Sequence, residues 1–220
     1  MTTPPPSDRS SRQAGLRHNR VVVGDTGASG ALYARRVIRG LLEARVETHV
    51  IITPPGHRLC CDELGLERPS AATLAGIEDS HPARALLHQH SNNDIGAPIA
   101  SGSFLIYAML VVPCSVNSLN AIAAGLGDNL LRRAAAVTLK ERRPLILALR
   151  ESPLSLIDAN SIVTLTTAGA TVAPASPGYY LNPTSIDDLI DFVAAKLLDL
   201  AGVTHNISAR WGESKPATRR

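Results

Sequence analysis

Ser29 stands between two glycines of the run "VVVGDTGASGALYARR" (Val21 to Arg36), where Gly24, Gly27 and Gly30 are spaced G-x-x-G-x-x-G. Glycine lets a backbone come close to a ligand. A helix that starts at such a turn points unpaired N–H groups and a positive dipole end at an anion. The stretch therefore reads as a phosphate cradle or as a tight strand-to-helix turn. It is not the dinucleotide spacing G-x-G-x-x-G, and no G-K-[ST] follows, which excludes a P-loop. Further on, Arg133 and Lys140 lie seven residues apart in "NLLRRAAAVTLKERRPL", which puts both on one helix face. That face is either a solvated basic surface or a pair of cations for a ligand. Arg150 and Glu151 directly follow the apolar run "PLILAL", as an ion pair at a strand exit or as site chemistry. Tyr179 and Tyr180 share the turn "PGYYLNPTS" in a chain of only four tyrosines. "SGSF" (101–104) and "PCSVNS" (113–118) add small hydroxyls and amides that suit a phosphate or a polar ring edge and are also ordinary loop chemistry.

The elements that must position these groups alternate. Strand signals are "RVVVG" (20–24), "ETHVIIT" (47–53), "AMLVVP" (108–113), "PLILAL" (144–149) and "GATVAP" (169–174). Helical periodicity falls on 31–44, where Ala34, Val37, Ile38, Leu41 and Leu42 form one stripe, and on 117–124, 129–142 and 185–201. Ser185 precedes Asp188 in capping-box spacing. Nearly continuous apolar strands between helices imply a parallel sheet covered on both faces. The expected fold is a doubly wound, flavodoxin/Rossmann-like, three-layer α/β domain. In such folds ligands bind at the carboxyl ends of the strands near the topological switch point, and Arg150–Glu151 leaves its strand at the same edge as the glycine turn.

Composition narrows the function. The chain has 220 residues, which suits one domain over 20–204. Its net charge of +3 sits in the ends: residues 1–20 and 205–220 each carry +3, leaving −3 on residues 21–204. A Pro/Ser-rich tail over 1–19 is expected to be disordered, and 205–220 forms a second tail containing "RWGE". Arg-rich ends are more often solvating tails than nucleic-acid contacts, and 3% aromatics leave little for base stacking. Cys60, Cys61 and Cys114 form no C-x-x-C and cannot all pair, which reads as reduced thiols in a cytoplasm. No apolar run has the length of a membrane span or a signal-peptide core. His81, His88 and His90, near Glu78 and Asp79, lie in a stretch that reads as polar loop or short helix, so they are taken as surface groups and no metal is expected.

In the order "TGASGA", "NDIGAPIASGSF", "PCSVNSL", "RAAAVTLKERRPL", "RESP", "GYYLNP" and "ARWGE", the chain resembles the UbiX/Pad-type flavin prenyltransferases. These belong to the flavodoxin-like FMN-binding flavoproteins. The resemblance runs from Val21 to Trp211. It implies reduced FMN as substrate and transfer of a dimethylallyl group from dimethylallyl monophosphate to flavin N5, with a second bond to C6. It further implies delivery of prenylated FMN to a UbiD-type decarboxylase, no metal in the transfer, and a homododecamer built of trimers.

Carried onto this chain, the resemblance gives the flavin Gly27, Ala28 and Ser29, then Thr53 where the family usually has Ser, then Ser115, Val116, Asn117 and Ser118, and Arg150. It gives the dimethylallyl phosphate Tyr180 and Lys196, with Arg133 and Lys140 completing a cationic cradle that crosses a subunit boundary. Glu63 matches the acidic residue of the second helix and Trp211 the tryptophan of "RWGE". Ser29 and Glu151 are the pair expected to carry the C6 proton away. Departures are Asp25, where an apolar residue or Thr is usual, "TPPG" at 53–56, and Leu181 after Tyr180. Two other readings remain at this point: an FMN-dependent cysteine-type decarboxylase, against which stands the absence of His from 21–48, and a non-catalytic FMN-delivering partner.

Overall fold

The computed structural model describes residues 19–207, so Trp211 and the segment 1–18 lie outside the described residues. The described residues form six strands: β1 (Arg20–Asp25), β2 (Glu47–Ile52), β3 (Leu87–His90), β4 (Ala108–Cys114), β5 (Leu145–Leu149) and β6 (Thr171–Pro174). All pairings are parallel, in the order β3-β2-β1-β4-β5-β6. The chain winds outward from β1 in one direction and restarts at β4 in the other. The switch point is therefore between β1 and β4, as in doubly wound nucleotide-binding sheets.

Among the described residues seven α-helices cover the sheet: α1 (Ala31–Glu43), α2 (Pro54–Leu64), α3 (Ala71–Ala75), α4 (Val116–Ala123), α5 (Leu130–Lys140), α6 (Leu156–Ala168) and α7 (Ile186–Leu200). Side chains alternate across the strands. Val21, Val23, Val50, Leu110 and Ile146 pack under α1, α3 and α7. Val22, Ile51, Met109, Val111 and Leu147 pack under α4, α5 and α6. Each fully buried aliphatic side chain contributes about 1.5–3 kcal/mol, so the central strands form a rigid base for whatever their ends carry. The helix starts are fixed locally. Ser115, Asn129, Ser155 and Ser185 accept a hydrogen bond from the first turn of α4, α5, α6 and α7.

Two elements differ from the sequence reading. "LHQH" at 87–90 is a strand, not a loop or short helix. It has no β-branched residue, and its pairing with β2 overrides local preference. The helix α6 shows no apolar stripe because Leu156, Ile157 and Val163 are exposed, and only Asp158 and Leu165 are buried.

Candidate active site

The ends of β1 and β4 are tied together by Thr26. Its Oγ1 donates to the Pro113 carbonyl at 2.8 Å and accepts the Ser115 N–H at 2.9 Å. This clamp sets the start of α4 beside the glycine turn. Ser115 Oγ accepts the Ser118 N–H at 3.3 Å, and no acidic residue stands in the first turn. The amides of Val116 and Asn117 have no partner within the helix and lie, with the positive dipole end of α4, at the crown of the sheet, the edge formed by the carboxyl ends of its strands. Such a helix start suits an anion.

The start of α1 is different. Gly30 adopts φ 122°, a conformation that suits glycine, and a Cβ there would lie 2.7 Å from the Tyr33 ring. The Glu63 carboxylate of α2 accepts the N–H groups of Gly30 at 2.9 Å and Ala31 at 2.8 Å. The N–H groups that the glycine turn seemed to offer an anion are thus already taken. Gly27 packs on Pro55, whose side chain leaves no room for a Cβ at position 27. The prolines of "TPPG" stand in the first turn of α2 behind the N-cap Thr53. Thr53 Oγ1 donates to the Asp25 carbonyl at 3.1 Å and accepts the Gly56 N–H at 3.2 Å. Ala28 is buried and Ser29 is exposed.

Asp25 points away from the crown. It is 1% exposed, its Oδ2 accepts the Cys60 thiol at 3.1 Å, and its Oδ1 has no partner. Burial pushes its carboxyl up to about 7, with the Cys60 hydrogen bond acting against the rise and Glu63 adding to it. A buried carboxyl that faces Cys60 and whose charge is disfavoured by burial repels a phosphate less than an exposed carboxylate would, which eases the conflict this residue posed in the sequence.

Arg150 and Glu151 follow β5 at the same edge, both exposed. The Arg150 N–H donates to the Cys114 carbonyl at 3.0 Å, and Glu151 Oε1 accepts the Ser152 N–H at 3.1 Å. Tyr33 is a crown residue that sequence reasoning missed. Burial raises its hydroxyl pKa, Arg150 lowers it, and Tyr179 and Glu63 raise it further, so all three residues lie near this ring. An aromatic residue three positions after the last glycine was the available signal.

The remaining residues separate into two groups. Tyr180 packs edge-on against Phe192 at 5.6 Å, and Lys196 lies one turn further along the same face of α7. Arg133 and Lys140 are exposed on α5. Lys140 lies about 10 Å below Arg133 along the helix axis, toward the starts of the strands. There Arg143 donates to the carbonyls of Phe104 and Gly102, and Phe104 underlies Arg20, the first residue of β1. One protomer therefore does not bring Lys140 to its own crown. The histidine group of the sequence also divides. His81 accepts the Ala83 N–H and Asp79 pairs with Arg84, whereas His88 and His90 meet His49 on the sheet.

A doubly wound sheet with an anion seat at its switch point, ringed by tyrosine, arginine and carboxylate groups, defines a nucleotide-binding α/β protein of the flavoprotein type. Residues 9–210 match the family described as Flavoprotein. The chain belongs to that family and, within it, to the UbiX flavin prenyltransferases. It is 42% identical to the flavin prenyltransferase UbiX of Thermoplasma acidophilum over 87% of this chain and 99% of that protein. Its fold matches AnUbiX (PadA1), solved in complex with FMN and dimethylallyl pyrophosphate, with a TM-score of 0.78 and 38% identity over 90% of this chain and 100% of that one. It also matches the dodecameric FMN-dependent UbiX-like decarboxylase from Escherichia coli O157:H7, with a TM-score of 0.73 and 36% identity over 84% of this chain and 96% of that one. No helix among the described residues is long and apolar enough to cross a membrane.

Proposed function

We propose that this protein is a flavin prenyltransferase that joins a dimethylallyl group to N5 and C6 of reduced FMN. The observation that carries the reading is family membership along almost the whole chain, joined to a crown whose open helix start suits the flavin phosphate. The residues fit FMN: Gly27 and Ala28 keep the turn low, the start of α4 accepts an anion, and Asp25 is withdrawn. Bound reduced FMN supplies the nucleophilic N5 and C6.

The protein's own groups do the rest. Ser115 to Ser118, Ser29 and Arg150 hold and orient the flavin. Tyr180 and Lys196 hold the donor phosphate, together with Arg133 and Lys140 of a neighbouring subunit. When the donor C–O bond breaks, phosphate leaves with the electron pair, and fixed cations stabilise the charge that develops. The tyrosines of the crown give the allyl group an electron-rich surround. Glu151 takes the C6 proton through Ser29. Glu63 holds the glycine turn in shape.

The donor is dimethylallyl monophosphate, and the product goes to a UbiD-type decarboxylase in the cytoplasm. The assembly is a homododecamer of trimers, in keeping with a Lys140 that only a neighbour's crown can use. Reconstitution tests the product. Protein incubated anaerobically with reduced FMN and the donor, then added to an apo UbiD-type decarboxylase, should restore carbon dioxide release. Failure to restore it, with release of carbon dioxide from a cysteinyl peptide instead, would replace this reading with the decarboxylase one.

A further inference from the structure

A second cluster of chemistry lies on the β2–β3 edge of the sheet, away from the glycine turn, and none of its residues has a part in the proposed prenyl transfer. In the β2–β3 register His49 faces His88 and Ile51 faces His90, so the three histidines point to one side of the sheet. Their rings stack, with His49 4.8 Å from His88 and 5.2 Å from His90. Glu47, two residues before His49 on the same face of β2, places Oε1 3.1 Å from His49 Nε2 and 3.7 Å from His88 Nε2. Its other oxygen accepts from Arg20 Nε at 2.9 Å. The edge of Phe104 closes the group from the side, 5.2 Å from His49.

We propose that Glu47, His49 and His88 form a binding site for a divalent transition-metal ion, with His90 and Arg20 as the partners that orient its ligands. Two imidazoles and a carboxylate suit zinc and its neighbours, not magnesium or calcium, which take oxygen ligands. Tetrahedral zinc with bonds of 2.0–2.2 Å sets ligand atoms about 3.3 Å apart. The two separations from Glu47, 3.1 and 3.7 Å, fall on either side of that value, and the three donor atoms lie within 4.8 Å of one another. His88 is the exposed member, with its side chain 44% accessible, and it turns to close the site, while His49 is 5% exposed and fixed.

The outer contacts match those of metal sites. His49 Nδ1 lies 2.9 Å from His90 Nε2, so its second nitrogen is held while Nε2 faces Glu47. Ligating histidines are commonly oriented by a hydrogen-bond acceptor on the second nitrogen, and here the His90 ring takes that place. The Arg20 bond fixes the Glu47 carboxylate in the same way. Three protein ligands leave a fourth position for water. The ion would clip β3, a four-residue edge strand, to β2.

Full-length protein stripped with a chelator and titrated with zinc chloride by calorimetry tests the site. The expected result is one zinc per chain, and cobalt chloride should give the visible ligand-field bands of low-coordinate Co²⁺. His88→Ala and Glu47→Gln should each weaken zinc binding at least tenfold, and His90→Gln about 10-fold or more. Prenyl transfer by His88→Ala should stay at the wild-type rate. The site is disproved if wild-type protein takes up no stoichiometric zinc, or if folded His88→Ala and Glu47→Gln proteins bind it as tightly as wild type.

Discussion

Glu63 and Gly30 are 33 residues apart in sequence, yet the Glu63 carboxylate accepts the Gly30 N–H at 2.9 Å and so caps α1 from α2. One side chain thereby holds the glycine turn, the first helix and the second in a single arrangement. Glu63→Ala should lower stability by about 1–2 kcal/mol, as the loss of a cap and of a charge at a helix start does. Urea unfolding checks this. Glu63→Gln keeps an acceptor and should recover most of that stability. If Glu63 also acts on the substrates, as the resemblance implies, Glu63→Gln should still lose more than tenfold in turnover.

Asp25 makes stability depend on pH in an unusual direction for a carboxylate. Its ordinary value of 3.8 is raised to about 7 in the folded chain, chiefly by burial. Between those values the folded state keeps a proton that the unfolded state has released. The stability it contributes is full below about 4 and is lost as pH rises through about 7. Urea midpoints measured from pH 5 to pH 8.5 should fall for wild type. Asp25→Asn, which cannot ionise, should flatten that part of the profile.

The anion seat at the start of α4 can be tested by charge. Aspartate caps helices as well as serine does, so Ser115→Asp should keep α4. It places a negative charge at the helix start proposed for the flavin phosphate, and affinity for FMN should fall at least tenfold with little change in unfolding midpoint. Ser115→Ala, which removes only a hydroxyl, should cost FMN binding less.

Lys140 stands near the strand starts and Glu151 at the strand ends. If each cradle is shared between subunits, a Lys140→Ala protein and a Glu151→Gln protein should each be nearly inactive. Mixed by dissociation and reassembly, they should regain part of the activity, because some crowns then receive both intact groups. Purely intra-chain sites would regain none.

The parts of this molecule that were legible in the sequence are those in which local pattern and tertiary demand agree. The valines of β1 and the stripe from Ala34 to Leu42 announce a buried strand and its helix, and both lie where expected. "LHQH" did not, because its strand exists only through pairing with β2. At the site, the glycine turn, the small hydroxyls of "PCSVNS" and the Arg150–Glu151 exit were readable as positions, but the Ser115 cap was not. Which N–H groups were already occupied was not, since the Glu63–Gly30 contact spans two elements. The partner of Asp25 was equally hidden, because Cys60 meets it only when α2 packs on β1. The remoteness of Lys140 from its own crown follows from helix direction and emerged only with the topology.

The most direct test is mass spectrometry of the flavin released after anaerobic incubation of the purified protein with reduced FMN and dimethylallyl monophosphate. The account predicts a mass increase of one dimethylallyl group over FMN. It also predicts loss of that product when Glu151 is changed to Gln or Ser29 to Ala while FMN binding remains. FMN recovered unchanged from wild-type protein, with both the monophosphate and the pyrophosphate donor, would contradict it.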